Sequence, residues 1–154
     1  MSNTNQEIDA TDRIILSELL KNSNRSYRRL AKDLGLSASS VMDRIRKLEE
    51  KKVILGYGAR LDYSKLNYDF MGLLEVNISG ADLLKVETQI SSFDGVAAIW
   101  DTTGRYDAMV VLMCKNRVQL SSLIKKILSV PGVHKTNTHI VLNVVKRLTE
   151  FDGV

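Results

Sequence analysis

The spacing of apolar residues divides this chain into two parts. Before about residue 52, apolar residues recur every three or four positions, which is the period of an amphipathic helix. From Asp69 onward, runs in which apolar residues alternate with polar ones are interspersed with two more helical patterns. The change predicts an α+β protein with a helical domain at residues 1–52, a hinge strand and linker at 53–66, and a sheet domain at 67–154.

Three helices are predicted in the N-terminal domain, and each has a side chain that can cap its first turn. The N-cap candidates are Asp9, Ser26 and Ser37, and Gly35 can end the second helix in the left-handed conformation. A tight turn from the second helix into the third is the helix-turn-helix pattern, in which the later helix enters the major groove of DNA. The apolar stripes are Ile15, Leu16, Leu19 and Leu20; Tyr27, Leu30, Ala31 and Leu34; and Val41, Ile45 and Leu48.

The charge distribution also favours a nucleic-acid partner. The chain carries a net charge of +4, and residues 1–60 account for all of it, because residues 61–154 hold ten basic and ten acidic side chains. Within residues 21–52 there are ten basic and four acidic side chains. A charge run is usually a solvated face, but on a helix-turn-helix pattern it would neutralise phosphates and release counterions.

Two groups of side chains are therefore predicted to contact double-stranded DNA. One group lies on the outward face of the third helix, where it would meet base edges, and the other would hold phosphates. The base-edge candidates are Ser39, Ser40, Asp43, Arg46 and Lys47, the phosphate candidates are Arg25, Tyr27, Arg28 and Lys51, and Ser37 and Arg44 belong to the same predicted surface.

Four strands and two helices are predicted in the sheet domain, in the order βαββαβ. This order is the ferredoxin-like arrangement, in which right-handed crossovers place both helices on one face of an antiparallel sheet. Asn67 tolerates left-handed backbone geometry and is predicted to make the turn into the first strand. The predicted strands are 70–78, 96–102, 108–114 and 133–145, and the predicted helices are 81–93 and 117–130.

The other sheet face is predicted to be too hydrophobic for water. The third strand, AMVVLMC, is apolar on both faces, and the last strand carries IVLNVV. A second copy of the chain is the simplest cover. The resulting two-fold dimer would pair two reading heads for a two-fold DNA site.

The sequence carries no enzyme signature such as a Gly-rich phosphate loop, HExxH or a CxxC pair. His134 and His139 are five apart on a predicted strand, so they project to opposite faces and cannot share a metal ion. The single cysteine, Cys114, lies in an apolar run, which favours burial. We therefore expect no catalysis, no cofactor and no metal. The polar N-terminus and the lack of an apolar run of about 18 residues predict a cytoplasmic protein without a membrane segment.

Four stretches of the chain resemble the Lrp/AsnC family of prokaryotic transcription regulators, also called feast/famine regulatory proteins. They are IDATDRIILSELLKNSNRSYRRLAKDLGLS, SSVMDRIRKLEEKKVILGYGARLD, TTGRYDAMV and PGVHKTNTHIVLNVVK, and together they span nearly the whole sequence. The resemblance implies a DNA-binding head, a hinge strand and a ferredoxin-like effector module that forms homodimers, often assembled into octamers. It also implies that an amino acid modulates DNA binding.

The same resemblance places an effector pocket where dimers meet, around the loop between the second and third strands. Backbone N–H groups near Gly104 could bind a carboxylate, and Asp107 could accept an ammonium group. The alternative is a tight turn in which Asp107 only caps backbone groups. The residues carried over are Thr102, Thr103, Gly104, Arg105, Tyr106 and Asp107 from the loop, with Thr136 and Thr138 from the last strand.

Three positions depart from the usual pattern of the family. Ala38 stands where relatives commonly have Pro, although the first helical position tolerates either residue. The hinge reads Gly-Tyr-Gly-Ala rather than Gly-Tyr-Thr-Ala, which predicts greater flexibility. Arg105 places a cation where relatives often have an acidic or small residue, which favours an effector with an acidic or polar side chain.

A sequence-specific transcriptional regulator that responds to an amino-acid-like effector is the leading hypothesis. Two alternatives remain open. One is an architectural protein that wraps DNA with little sequence preference and binds no effector. The other is a metabolite-binding module or enzyme whose helices contact only protein.

Overall fold

The computed structural model describes residues 7–80 and 82–151. These residues form two compact units, one that runs up to Arg60 and includes the stretch from Lys146, and a second, Leu61–Val145. The division after Arg60 lies inside the predicted connecting segment. None of the helices in the described part of the chain is long and apolar enough to cross a membrane.

The first unit contains the three predicted helices, α1 (Ala10–Lys21), α2 (Tyr27–Leu34) and α3 (Ala38–Glu50). The three predicted N-caps are confirmed. The Asp9 carboxylate accepts the backbone N–H of Asp12 at 2.8 Å, and the Ser37 hydroxyl accepts that of Ser40 at 3.1 Å. Gly35 ends α2 with φ +67°, the left-handed geometry that allows the sharp turn into α3.

The apolar stripes of these helices meet in one core. Ile15, Leu30, Val41 and Ile45 are each at most 1% exposed, so a side chain from every helix is fully removed from water. Leu20 is the exception among the predicted stripe leucines of α1, because it remains 43% exposed.

The connecting segment contains no strand among its described residues. Val53 to Leu61, predicted as an extended strand or linker, is a connection without strand pairing, and a short 3-10 helix, Tyr63–Leu66, follows it. Asn67 ends this helix with φ +64°, which confirms the predicted turn residue.

The second unit has the predicted ferredoxin-like order. Its elements are β1 (Phe70–Ile78), α4 (Leu83–Ser91), β2 (Val96–Asp101), β3 (Ala108–Cys114), α5 (Arg117–Leu128) and β4 (Val133–Ile140). The strands form one antiparallel sheet in the order β2-β3-β1-β4. The predicted start of α4 at Ala81 lies outside the described residues.

The last strand is shorter than predicted. It ends at Ile140 opposite Gly72, and one further bond joins the Val141 N–H to the Met71 carbonyl at 2.9 Å. In this register Phe70, the first residue of β1, would oppose Leu142, so β1 offers no partner to residues 143–145 of the predicted strand.

Strand register assigns each side chain to one of two sheet faces, because directly opposed residues share a face. Leu74, Val76, Val110 and Leu112 lie on the inner face, where they form the core with α4 and α5. We call the opposite side the outer face. It holds Ala98 and Trp100 on β2; Met109, Val111 and Met113 on β3; Met71, Leu73, Glu75 and Asn77 on β1; and Lys135, Asn137 and His139 on β4.

The outer face is apolar on β2 and β3, mixed on β1 and polar on β4. Leu73 and Val111 lie opposite each other at the centre of this face. Leu73 is half-buried and Val111 is 8% exposed, while Trp100 at the edge is 46% exposed. The IVLNVV run that was expected to extend this surface lies almost entirely beyond the end of β4. Leu142 within it is 95% exposed.

One buried carboxyl in this unit has an oxygen without a hydrogen-bond partner. Glu87 on α4 is 9% exposed, and its Oε1 is unpaired within the described residues. Loss of solvation, and secondarily the charge of Asp101, raise the pKa of Glu87. Burial of this group costs stability whenever it is ionised.

Glu87→Gln should therefore stabilise the chain at neutral pH. The folded-state pKa lies above the ordinary value of 4.5, so wild-type stability is greatest below that value and falls as pH rises through the raised pKa. We expect Tm at pH 7.5 to rise by roughly 2–4 °C, the shift for about 1 kcal/mol in a chain of this size. Calorimetry at pH 4 and pH 7.5 measures both the pH dependence of wild-type stability and the rise in Tm of the variant.

Glu50→Gln is the matched control, because the Glu50 side chain is 67% exposed. It should leave Tm nearly unchanged at both pH values. A Glu87→Gln variant with the same Tm as wild type at pH 7.5 would contradict the assignment of Glu87 as a destabilising buried charge.

Candidate DNA-binding and effector sites

The third helix presents a polar face to solvent. Val41, Ile45 and Leu48 point into the core, whereas Met42 is 53% exposed. Ser39, Asp43, Arg46 and Lys47 are exposed, and Ser40 is half-buried. Arg46 is 64% exposed and pairs with Asp43 at 3.2 Å and Glu50 at 3.8 Å, both on its own helix. Such exposed pairs contribute only about 0.2–0.5 kcal/mol, so the guanidinium can turn to another partner.

Ser37 serves the helix itself. Its hydroxyl accepts the Ser40 N–H and lies 3.0 Å from the Ser39 hydroxyl. The N-terminal turn of α3 is therefore fixed by a cap before any ligand arrives.

Two of the predicted DNA-binding arginines form ion pairs within the first unit. Arg44 on α3 contacts Asp9 at 2.6 Å and Asp12 at 2.8 Å, which joins α3 to the first turn of α1. The hydrogen bond from Arg44 is the main cause that holds the pKa of Asp9 below its ordinary value. Arg25, whose side chain is 20% exposed, pairs with Glu18 on α1 and Asp33 on α2.

The remaining phosphate candidates lie at the surface of the same unit. Tyr27 begins α2 and is 38% exposed, and Arg28 beside it is also exposed. Lys51 caps the other end of α3 and donates its backbone N–H to the Lys47 carbonyl at 3.0 Å. The DNA contacts of all these residues stay predictions.

The predicted effector loop is a tight connection between β2 and β3. The Thr102 N–H donates to the Asp107 carbonyl at 2.9 Å, and the Thr102 hydroxyl donates to the Tyr106 carbonyl at 3.2 Å. Gly104 has φ +121°, a conformation that favours glycine. Thr103, Gly104 and Arg105 are exposed at the tip.

Asp107 holds this loop against β1. Its Oδ2 accepts the Ile78 N–H at 2.7 Å and an Asn77 side-chain N–H at 3.3 Å, and these bonds lower the pKa of the carboxyl, the Ile78 bond most. The Asn77 amide also donates to the Arg105 carbonyl at 2.8 Å. Asp107 is thus a capping residue, as the alternative reading of the sequence proposed, and a role in ammonium binding would compete with these bonds.

Thr136 and Thr138 lie on the inner face of the sheet. They oppose Val76 and Leu74 on β1, and both are half-buried. Val76 in turn opposes Ala108, the residue that follows the loop. Thr136 therefore shares a row with the end of the loop, about 10 Å away across two strand spacings, and Thr138 lies one row further along.

A polar cluster on the outer face was not predicted from sequence. Asn137 donates to Glu75 at 2.7 Å, and His139 Nε2 lies 3.2 Å from the same carboxylate oxygen. These contacts, the Asn137 bond first, lower the pKa of Glu75. A glutamate in the middle of a mainly apolar strand was the available signal, but its partners depend on the β1–β4 register.

A cavity of about 310 Å³ lies at the other end of β3, and none of the loop residues line it. The cavity is lined by Tyr68, Asp94, Gly95, Met113, Cys114, Lys115, Gln119, Ser122, Leu123 and Lys126.

In residues 7–80 and 82–151, no group of three or more His, Cys, Asp or Glu side chains could hold a metal ion.

Two family models match the two units. The model described as the AsnC-type helix-turn-helix domain matches residues 8–49, and the one described as the Lrp/AsnC ligand binding domain matches residues 72–151. The first match covers α1, α2 and nearly all of α3, and the second begins within β1 and covers the rest of the sheet.

Whole-chain relatives agree with these matches. The chain is 39% identical over 140 residues to an uncharacterised HTH-type transcriptional regulator of Pyrococcus horikoshii, which covers 91% of this chain and 95% of that protein. It is 32% identical over 144 residues to HTH-type transcriptional regulator FL11 of Pyrococcus abyssi, with 94% and 95% covered.

Solved structures share the fold. E. coli AsnC matches with a TM-score of 0.84 at 28% identity, covering 93% of this chain and 99% of that one. A feast or famine regulatory protein from M. tuberculosis, complexed with L-methionine, matches with a TM-score of 0.85 at 24% identity, with 92% and 96% covered. The chain belongs to the Lrp/AsnC family of helix-turn-helix transcriptional regulators.

Proposed function

We propose that the chain is a sequence-specific DNA-binding regulator, and not an enzyme, that works as a two-fold dimer and responds to an amino-acid-like effector. The exposed polar face of α3 is the observation that carries the DNA-binding part. Its side chains lie on a helix fixed at its first turn by Ser37 and packed on the core by Val41, Ile45 and Leu48. A pre-organised helix loses little entropy on entering the major groove.

We assign the predicted DNA contacts to two roles on the basis of their surroundings. The base-edge contacts are Ser39, Ser40, Asp43, Arg46 and Lys47, and the phosphate contacts are Tyr27, Arg28 and Lys51. Arg25, Ser37 and Arg44 shape the head instead. The Arg25 and Arg44 guanidiniums form ion pairs that join elements of the head, and the Ser37 hydroxyl caps α3.

The dimer is proposed to form through the outer face. Leu73 on β1 and Met109 and Val111 on β3 place an apolar surface on two adjacent strands, and such a surface is unfavourable in water. A two-fold axis through this face would repeat the reading head, and half-sites one helical turn apart would follow. Assembly of dimers into octamers is a further expectation from the family.

The effector is proposed to bind at the exposed tip of the Thr102–Asp107 loop. Two relatives of known structure are described as complexes with L-methionine, which supports an amino acid as the ligand class. The exposed Arg105 and the N–H groups around Gly104 would bind its carboxylate. Since Asp107 is already bonded to Ile78 and Asn77, the ammonium acceptor must come from elsewhere, such as a neighbouring copy.

Arg46→Ala tests base reading directly. We expect affinity for a selected site to fall by about 1–3 kcal/mol, roughly 5- to 150-fold, with little change on random DNA at the same salt. Arg117→Ala is the control, because it removes the same charge from an exposed position on α5. Equal losses on both DNAs would indicate a phosphate contact and favour the architectural alternative.

A thermal-shift screen of the twenty amino acids tests the effector. A ligand at about 100 times its Kd should add roughly 2.7 kcal/mol of stability. Its presence should also change DNA affinity by the same factor by which DNA changes ligand affinity. Arg105→Ala should abolish the shift. A screen without hits, or hits that persist unchanged in Arg105→Ala, would refute the proposed site.

A further inference from the structure

The first part of the connecting segment is bonded to the DNA-binding head by two side chains. The Tyr57 hydroxyl donates to Glu49 in the last turn of α3 at 2.7 Å. Loss of solvation and then the bond to Glu49 raise the pKa of Tyr57, and Tyr27 at the start of α2 adds a smaller contribution. Tyr57 is therefore bonded to the last turn of α3.

Arg60 makes the second attachment. Its guanidinium donates to the carbonyls of Leu20 and Lys21 at the end of α1. The last carbonyls of a helix have no partner within the helix, and they carry the negative end of its dipole. A cation at this position satisfies them, so Arg60 holds the segment where it passes α1.

The segment is also fixed at its beginning. The N–H groups of Val53 and Ile54 donate to the Leu48 carbonyl at 2.9 and 3.2 Å, and Ile54 packs against the head core. We call residues 53–60 the strap. Glycines at 56 and 58 flank Tyr57, so side-chain bonds rather than a stiff backbone determine where the strap lies.

We propose that Tyr57 and Arg60 are positioning residues for DNA binding, which keep the strap on the head and so limit how far the head can travel. This inference rests on the proposed two-fold DNA reader. It differs from the sequence expectation that the Gly-Tyr-Gly-Ala hinge is flexible. With the strap bound, the first freely rotating residue comes after Arg60.

The number of unattached residues between the head and the 3-10 helix determines how far the head can move. With the strap bound, only Leu61 and Asp62 separate Arg60 from the 3-10 helix that begins at Tyr63, and the Asp62 side chain already caps that helix. With both attachments lost, the free chain comprises residues 55–62. At about 3.5 Å per extended residue, the reach rises from about 7 Å to about 28 Å.

The dependence of DNA affinity on the spacing between half-sites should reveal this difference in reach. In a dimer, each head is tethered to the same sheet assembly, and a tether that cannot span to a displaced half-site removes the benefit of the second contact. An insertion of 5 base pairs moves one half-site by about 17 Å and by half a helical turn. With a short tether, the insertion should therefore weaken DNA binding, and with a long tether the affinity should change little.

The experiment uses the full chain and a duplex site selected in vitro by the wild type, with 0, 5 or 10 base pairs inserted between its half-sites. Wild type should lose affinity by roughly tenfold or more on the 5-base-pair insertion. In the double variant Tyr57→Phe, Arg60→Gln, the loss should fall to about threefold or less. Tyr63→Phe with Arg117→Gln is the matched control, and it should keep the wild-type loss.

Thermal unfolding of each variant establishes that the head is folded before affinities are compared. A double variant that is folded and keeps the wild-type loss on the 5-base-pair insertion would overturn the proposal while leaving the DNA reader intact. A selection in which wild type enriches no sequence would overturn the proposed function, and the strap proposal with it.

Discussion

When both helices pack on one face of a sheet, the strand side chains alone determine whether the other face is apolar or polar. In this chain the inner face is occupied by α4 and α5, and the outer face carries methionine, leucine and valine side chains on β1 and β3. The strand order β2-β3-β1-β4 places β1 and β3 at the centre, so the apolar side chains lie together and the polar side chains of β4 lie at one edge. In the proposed dimer, burial of that surface against a second copy would be the physical basis for a two-headed reader.

The three short helices of the head enclose only a small core. Polar contacts between their side chains also determine how these helices pack. Arg44 joins α3 to Asp9 and Asp12, and Arg25 joins the turn after α1 to Glu18 and Asp33. The Arg44 pairs fix α3 against α1, and the predicted DNA contacts of Arg25 and Arg44 stay predictions.

Periodicity and capping chemistry predicted most of the fold, because both act within a few residues of the chain. The helix starts after Asp9, Ser26 and Ser37 and the bounds of β1 and β3 agree with prediction for this reason. The end of β4 was not predictable from its own residues, since IVLNVV has strong β propensity and only the length of β1 limits the pairing.

The candidate sites were predicted less completely than the fold. The exposed face of α3 follows from helical periodicity. The partners of Arg44, Asp107 and Tyr57 are 35, 29 and 8 residues away, and such contacts depend on how elements pack. Local turn chemistry did indicate the capping role of Asp107, because an aspartate in a short loop commonly caps backbone N–H groups.

The number of chains bound to a DNA duplex that holds one selected site tests the central claim most directly. Native mass spectrometry of wild type should show an even number of chains per duplex, with two as the smallest complex. Leu73→Lys, which places a charge at the centre of the outer face, should reduce this to one chain with much weaker binding. A single wild-type chain per duplex, or a folded Leu73→Lys variant that still binds in pairs with wild-type affinity, would contradict the account.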